Sequence, residues 1–204
     1  MSAKYKMILA SQSPRRKELL GHLGIPFLIQ PSYVEEVSEA TNPIDYSLDI
    51  ALLKGRDIAS QNKSSPESII VSADTIVVHK QIIYGKPKSP EDAYRMLSIL
   101  SGETHSVYTS VVLIGLGKEK TFSVESQVTF SKITKSIMDH YLATKDSLDK
   151  AGAYGIQGNA LTFIENLEGS YSNVVGFPLS HFIKELKTFL NLDLENSDWR
   201  NLFS

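Results

Sequence analysis

The chain has 204 residues, with 21 Lys and Arg against 23 Asp and Glu, a formal net charge of −2, 42% hydrophobic residues and no cysteine. That length supports one domain with a substantial core, and the missing thiols exclude disulfide scaffolds, zinc–thiolate sites and cysteine nucleophiles. A near-neutral charge argues against a duplex nucleic-acid partner, and no targeting leader or run of about 18 apolar residues is evident, so we expect a cytoplasmic protein with no membrane partner.

Short strand-like runs alternate with amphipathic patterns, which predicts an α/β fold. In the first third, the pattern predicts strands over 5–10 and 27–30. It also predicts helices that begin at Ser13-Pro14 and Asn42-Pro43, each with a polar cap followed by proline. By helical spacing, the inward face of the second helix consists of Ile44, Leu48, Ala51, Leu52, Gly55 and Ala59.

The rest of the chain continues the alternation, with one pair of long strands at its centre. The predicted elements are short strands at 69–72 and 76–78 on either side of a break at Asp74, a helix capped by Ser89 and running inward through Ala93, Met96, Leu97 and Leu100, an antiparallel strand pair within 106–130, a helix over 134–144, a strand at 161–164 and a helix from Pro178. Beyond residue 190 the sequence leaves three alternatives for the segment around Trp199: docking on the body, docking on a partner, or disorder.

The segment between the first strand and the first helix carries chemistry. Ser11 and Ser13 precede Arg15 and Arg16, both in the first helical turn, where cations oppose the helix dipole. A capping box from Ser13 requires Glu at the position of Arg16. The arrangement becomes favourable if an anion such as phosphate binds the helix N-terminus. The alternative is an ordinary serine cap with solvated arginines.

Acidic and cationic candidates follow further along the chain. Asp74 and Thr75 place an acid beside a hydroxyl, and Lys86 lies in a turn shaped by Gly and Pro. Lys54 flanks the predicted inward face of its helix, so its ammonium could reach inward, although a surface position is the ordinary outcome. If the carboxylates at 35–36 lie on an extended segment, they point in opposite directions, so at most one of them reaches a metal shared with Asp74.

A glycine-rich loop spans 149–158, with glycines three residues apart that allow a ligand to approach the backbone. Its charged and polar residues, including Lys150 and Gln157, exceed what a structural turn needs. Asn173 follows in a second polar stretch that is either a plain turn or part of a site. Among the five histidines, His105 is the one with polar neighbours, and it is either a site residue or a packing residue.

Six segments, taken in order, resemble the motifs of the Maf family of nucleoside triphosphate pyrophosphatases: 10–20, 72–75, 85–87, 101–102, 149–158 and 170–179. The resemblance implies a bilobed α/β fold, a long mixed sheet flanked by helices and related to the inosine triphosphatase fold, with a cleft between the lobes. It further implies one catalytic domain over 1–190 followed by a tail over 191–204, hydrolysis of a nucleoside triphosphate to monophosphate and pyrophosphate, a divalent cation (Mg²⁺, Mn²⁺ or Co²⁺) and a homodimer.

The same resemblance assigns roles to individual residues. Asp74 matches the proton acceptor, and Glu36 together with Asp74 matches the metal position. The phosphate-facing positions correspond to Ser11, Ser13, Arg16, Lys54 and Lys86. Arg15, Thr75 and Gln157 match the positions that separate the family's subgroups.

At those three positions the chain resembles the dTTP/UTP subgroup rather than the one acting on 7-methyl-GTP, which has Trp, Gln and Glu there. A glutamine amide can donate to O4 and accept from N3–H of uracil or thymine. The departures are Gly55, where Ala is usual, and Asn159-Ala160. We therefore predict hydrolysis of dTTP, UTP and modified pyrimidine triphosphates. The alternatives are an ITP/XTP-type purine pyrophosphatase and a nucleotide-binding regulator of septum formation.

Overall fold

The computed structural model describes residues 4–63, 65–195 and 198–204. The strands in this part of the chain are β1 (Lys6–Leu9), β2 (Phe27–Ile29), β3 (Ser68–His79), β4 (Ile82–Tyr84), β5 (Thr104–Gly115), β6 (Lys118–Phe130) and β7 (Ile164–Glu168). The α-helices are α1 (Pro14–Gly21), α2 (Pro43–Gln61), α3 (Pro90–Leu100), α4 (Lys135–Ala143), α5 (Tyr171–Val175) and α6 (Leu179–Phe189). The predicted α/β class is confirmed.

The strands form one mixed sheet in the order β2-β1-β3-β5-β6-β7, and β4 pairs with β3. Strand β1 runs parallel to both of its neighbours, with Met7 opposite Phe27 on one side and Ile69 on the other. Pairing is antiparallel between β3 and β4 and between β6 and β7. The continuous burial from Met7 to Leu9 is typical of a parallel strand covered on both faces.

Helix starts are confirmed wherever a polar cap predicted them. The side chains of Ser13, Asn42, Ser89 and Thr134 each accept a hydrogen bond from a backbone N–H of the following first turn. Helix α3 buries the four predicted residues Ala93, Met96, Leu97 and Leu100. No helix among the described residues combines the length and apolar character that crossing a membrane requires.

The predicted inward face of α2 is wrong in part. Ile44 is exposed, and the buried residues of the helix are Pro43, Ser47, Ile50, Ala51, Gly55 and Ile58. The helix is rotated because Ser47, which a hydrophobic pattern excludes, is buried with its hydroxyl bonded to the hydroxyl of Ser110. A satisfied hydroxyl can occupy a core position that periodicity reserves for an apolar side chain.

Two strand predictions also need correction. The segments on either side of Asp74 are one continuous strand, β3, so Asp74 lies in the middle of a strand rather than in a break. The strand predicted at 161–164 starts at Ile164, because Asn159–Thr162 forms a 3-10 helix before it.

The chain divides into two compact units, and the boundaries fall inside β3, β5 and β6. The first unit comprises Met1–Asp74, Ser110–Val124 and Gly176–Ser204. In it the C-terminal segment docks on β1: Phe203 bridges Tyr5 in parallel, and Trp199 is buried. Of the three alternatives for this segment, residues 198–204 therefore adopt docking on the body.

The second unit comprises Thr75–Thr109 and Glu125–Val175. Its core joins one face of α3 to aromatic residues from β6 and the loops that follow. Phe130 packs edge-on against Tyr154 and Phe163, with ring centroids 4.7 and 5.0 Å apart. This aromatic cluster supports the glycine-rich loop over 149–158 from within the same unit.

Candidate active site

In the first unit, the turn from β1 into α1 anchors Arg16. Ser13 Oγ accepts from the Arg16 backbone N–H at 3.4 Å, and Ser11 Oγ accepts from the Ser13 N–H at 3.2 Å. The Arg16 side chain donates from Nε to the Gly176 carbonyl at 2.9 Å. The serine cap is thus present, and Arg16 is held by the protein rather than solvated.

Arg16 also places a poorly hydrated charge at the start of α1. Burial lowers the pKa of its guanidinium from the usual 12.5, opposed by the negative charge of Asp74, with smaller effects from Arg15 and Glu36. Because arginine keeps its proton at neutral pH, the positive charge persists there. An anion bound at this helix N-terminus would be stabilised by the arginine and by the first-turn N–H groups.

Two carboxylates converge on the ammonium of Lys54. Its Nζ lies 2.9 Å from Asp74 Oδ1 and 3.0 Å from Glu36 Oε1. The side chains of Lys54 and Asp74 are each 13% exposed, whereas that of Glu36 is 52% exposed. Lys54 therefore reaches inward, and of the two adjacent glutamates it is Glu36 that shares a site with Asp74.

Close packing of α2 against β3 positions this group. A Cβ on Gly55 would lie 2.6 Å from Ser72 Oγ, whose hydroxyl donates to the Ala51 carbonyl at 2.7 Å. The absence of a side chain at residue 55 thus lets α2 approach the strand two residues before Asp74. This contact accounts for the glycine where the resemblance leads one to expect alanine.

Serines tie the segment that carries Glu36 to α2, a feature that sequence reasoning missed. Ser32 Oγ donates to Asp57 Oδ2 and Ser38 Oγ donates to Asp49 Oδ2, each at 2.6 Å. The segment has no regular secondary structure of its own. These two bonds flank Glu36 in sequence, so they restrict where its carboxylate can lie. Serines and aspartates 11 and 25 residues apart give no local signal of such pairing.

The donor set of Glu36 and Asp74 fits a hard divalent cation. Mg²⁺ and Mn²⁺ prefer carboxylate oxygens, and Mg²⁺ commonly takes one or two carboxylates and completes its shell with water and substrate phosphates. Among the described residues there is no group of three or more His, Asp or Glu side chains that could hold a metal ion by themselves. The protein can therefore supply two ligands here, and a bound phosphate chain the others.

In the second unit, Thr75 is the first residue after Asp74. Its hydroxyl lies 3.0 Å from that of Thr109, which donates to the Asn173 carbonyl at 2.9 Å. Asn173 is fully buried, and its side-chain amide donates to the Val107 carbonyl and to Ser126 Oγ. Asn173 therefore has a structural role beneath Thr75, and Thr109 is a further residue that sequence reasoning missed.

Lys86 and Gln157 lie on neighbouring loops of the same unit. Lys86 is exposed, and the carbonyl of the preceding Gly85 accepts from the Gly152 N–H at 3.0 Å, which joins its turn to the glycine-rich loop. Gly152 has a φ of +64°, and an added Cβ would contact Val77 at 2.9 Å. Gln157 is half-buried in that loop.

Lys150 differs from the other cations. Its ammonium donates to Asp146 Oδ1 at 2.6 Å and to Asp149 Oδ1 at 2.7 Å, and its side chain lies against Gly155. Two carboxylates thus compensate its charge inside the second unit. The expectation that Lys150 joins the phosphate-facing cations has no support in this geometry.

His105 is a packing residue rather than a candidate catalyst. It is buried, bonded through Nε2 to the Tyr154 hydroxyl at 2.7 Å, and packed edge-on against Phe130. Burial lowers the pKa of His105 to about 3, with a smaller effect of His79 in the same direction. The ring is therefore neutral at physiological pH, and the packing alternative is the one observed.

The buried His105 predicts acid sensitivity. Below pH 6.5 the unfolded chain protonates this histidine, whereas the folded chain does so only near pH 3, so stability present above pH 6.5 is lost as the pH falls toward 3. One proton corresponds to about 1.4 kcal/mol per pH unit. In urea unfolding between pH 6 and 4, His105→Gln should weaken this pH dependence, and the exposed-site control His181→Gln should not. Equal slopes in all three proteins would contradict this assignment.

Taken together, the first unit holds a paired acid, an inward lysine and an anchored arginine at a helix N-terminus, the equipment of a protein that binds a phosphate chain. A family model described as "Maf-like protein" matches residues 6–189. Proteins named "dTTP/UTP pyrophosphatase" from Bacillus cereus and Bacillus anthracis are each 45% identical over 193 residues, covering 94% of this chain and 99% of theirs.

A solved structure titled "Structure of a HAM1 protein from Coxiella burnetii" is similar at 15% identity and a TM-score of 0.48, covering 92% of this chain and 98% of that one. The family match spans most of the chain, and the relatives match along nearly their whole length. The chain belongs to the Maf family.

Proposed function

We propose that this chain hydrolyses dTTP and UTP, and modified pyrimidine triphosphates of the same kind, to the monophosphate and pyrophosphate. The observation that carries the proposal is the convergence of Asp74 and Glu36 on Lys54, because it supplies a base, a metal position and a cation together. Relatives with 45% identity that are named dTTP/UTP pyrophosphatase support the choice of substrate.

In the proposed reaction, Asp74 accepts a proton from the water that attacks the α-phosphorus in line with the departing pyrophosphate. The bond from Lys54 to Asp74 Oδ1 fixes the orientation of the carboxylate. The same ammonium offsets negative charge that the substrate brings between the two acids. The reaction requires no covalent intermediate.

The phosphate chain is proposed to lie against the start of α1. There the Arg16 guanidinium and the hydroxyls of Ser11 and Ser13 supply donors, and the anchoring of Arg16 by Gly176 makes its charge available without reorganisation. Lys86 is proposed as a further phosphate ligand on the grounds of the family resemblance and its exposed position.

The proposed cofactor is a divalent cation, Mg²⁺, Mn²⁺ or Co²⁺, held by Glu36 and Asp74. When bound, such a cation neutralises phosphate charge and stabilises the pyrophosphate leaving group. For base selection we propose Arg15, Thr75 and Gln157.

A nucleotide panel tests the proposal. Pyrophosphate release should be fastest with dTTP and UTP, require Mg²⁺, Mn²⁺ or Co²⁺, and stop with a chelator. Turnover of ITP or XTP equal to that of dTTP would favour a purine pyrophosphatase instead. Division defects that persist in cells carrying an inactive Asp74→Asn protein would favour a regulator of septum formation. Absence of release from dTTP and UTP with every metal would refute the proposal.

The serine tethers predict the metal requirement of the enzyme. Ser32→Ala with Ser38→Ala removes both bonds that restrict the Glu36 segment, so the Mg²⁺ concentration for half-maximal rate should rise about fivefold, equivalent to about 1 kcal/mol. The control is Ser60→Ala, whose hydroxyl bonds only the Asp57 carbonyl within α2. An unchanged Mg²⁺ requirement in the double variant would contradict the role of the tethers.

We further propose that the protein acts in the cytoplasm as a homodimer, with nucleoside triphosphates rather than duplex nucleic acid or membrane as its partners. The near-neutral charge and the nucleotide chemistry support this assignment. Light scattering should give about twice the chain mass of 22.6 kDa. A mass equal to that of one chain would contradict the dimer.

A further inference from the structure

A chain of hydrogen bonds in the second unit leads from a buried carbonyl to Thr75. The Thr109 hydroxyl is 2.9 Å from the Asn173 carbonyl oxygen and 3.0 Å from the Thr75 hydroxyl. Thr109 and Asn173 are fully buried, whereas Thr75 is half-buried. The chain thus connects the protein interior to a residue that the proposed function places at the base.

The number of protons fixes the direction of these bonds. A carbonyl oxygen only accepts, so the single hydroxyl proton of Thr109 goes to Asn173. Thr109 can then only accept from Thr75, which requires the Thr75 hydroxyl to donate inward. Toward any other group Thr75 Oγ1 is therefore an acceptor.

The terminal carbonyl is itself held in place. The Asn173 backbone N–H donates to Ser170 Oγ at 3.3 Å, and the side-chain amide donates to the Val107 carbonyl at 3.1 Å and to Ser126 Oγ at 3.0 Å. A buried, bonded residue cannot turn its carbonyl away without leaving other polar groups unpaired, which is costly. The polarity of the chain is therefore a fixed property of the fold.

We propose that Thr109 is a positioning residue for substrate selection, which makes Thr75 an acceptor for the N3–H group of uracil and thymine. This inference rests on the proposed function. Cytosine presents a lone pair at N3 instead of a hydrogen, so a fixed acceptor disfavours it, whereas a hydroxyl free to rotate could donate to it. Thr109 makes no contact with the base in this scheme and acts through Thr75.

The test is the ratio of kcat/KM for UTP to kcat/KM for CTP. Thr109→Val keeps the side-chain shape but removes both hydrogen bonds, so this ratio should fall about tenfold, mainly through the value for UTP. Thr109→Ser keeps the hydroxyl and should keep the ratio. The matched control is Thr129→Val, which breaks the exposed pair between Thr104 and Thr129 elsewhere in the unit.

Thr75→Val extends the test to a half-buried position, where substitution does not threaten folding. It should lower the same ratio about tenfold, and adding Thr109→Val to it should change the ratio no further. An unchanged ratio in Thr75→Val, or equal losses for UTP and CTP in Thr109→Val, would overturn the inference while leaving the proposed function standing. A wild-type protein inactive on dTTP and UTP would refute the proposed function itself.

Discussion

Asp74→Asn is expected to lower kcat for pyrophosphate release from dTTP by about 10²- to 10⁴-fold, the range typical of a lost general base. The amide has nearly the same shape, and its oxygen can still accept from Lys54, so the site should keep its geometry while losing the proton acceptor. The measurement is steady-state kinetics at saturating Mg²⁺, with the unfolding midpoint as a check on folding.

Asp139→Asn provides the matched control for this variant. Asp139 also accepts a hydrogen bond from a lysine, Lys135, at 2.5 Å, but it lies exposed on α4. It should therefore report the effect of losing a lysine-paired aspartate as such, and activity should be unchanged. If Asp74→Asn kept more than about a tenth of wild-type kcat, Asp74 would not be the base.

Lys54→Met should have the second-largest effect, a fall in kcat/KM of about 10- to 100-fold. The ammonium donates to two carboxylates, and each charge-assisted bond contributes about 1.5–3 kcal/mol. Its removal leaves Glu36 and Asp74 facing one another without a cation, so Asp74 loses its fixed orientation and the phosphate chain loses a positive charge.

The control for Lys54→Met is Lys135→Met, which breaks the exposed pair on α4 and should leave kcat/KM unchanged, since exposed pairs contribute little. Lys54→Arg keeps the charge but changes its shape and should have an intermediate activity. Wild-type kinetics in Lys54→Met would show that the ammonium has no role in positioning Asp74.

Sequence patterns succeeded where a few neighbouring residues decide the structure. Serine or asparagine followed by proline identified the starts of α1, α2 and α3, because cap and first turn lie within four residues. The hairpin of β5 and β6 was identified by its glycines, and Gly117 has a φ of +73° in the turn.

Patterns failed where the deciding partner is distant. Asp74 looked like a strand break because a charged residue is costly in a buried strand, but its charge is compensated by Lys54, twenty residues earlier. The pattern likewise missed the buried Ser47, whose partner is Ser110. Thr109 resembles any threonine in a strand, and only the bond to Asn173 distinguishes it.

The site shows the same division. Local motifs identified Ser13 and Arg16, while the family resemblance contributed Glu36 as a partner of Asp74. The contact between Lys54 and both acids and the tethers at Ser32 and Ser38 required the folded chain.

The most direct test of the proposed reaction is hydrolysis of dTTP in ¹⁸O-labelled water with Mg²⁺, followed by phosphorus NMR of the products. Attack of water on the α-phosphorus predicts equal amounts of dTMP and pyrophosphate, with the label in the dTMP phosphate and none in pyrophosphate. Label in pyrophosphate, or release of orthophosphate with dTDP, would contradict the reaction proposed for Asp74.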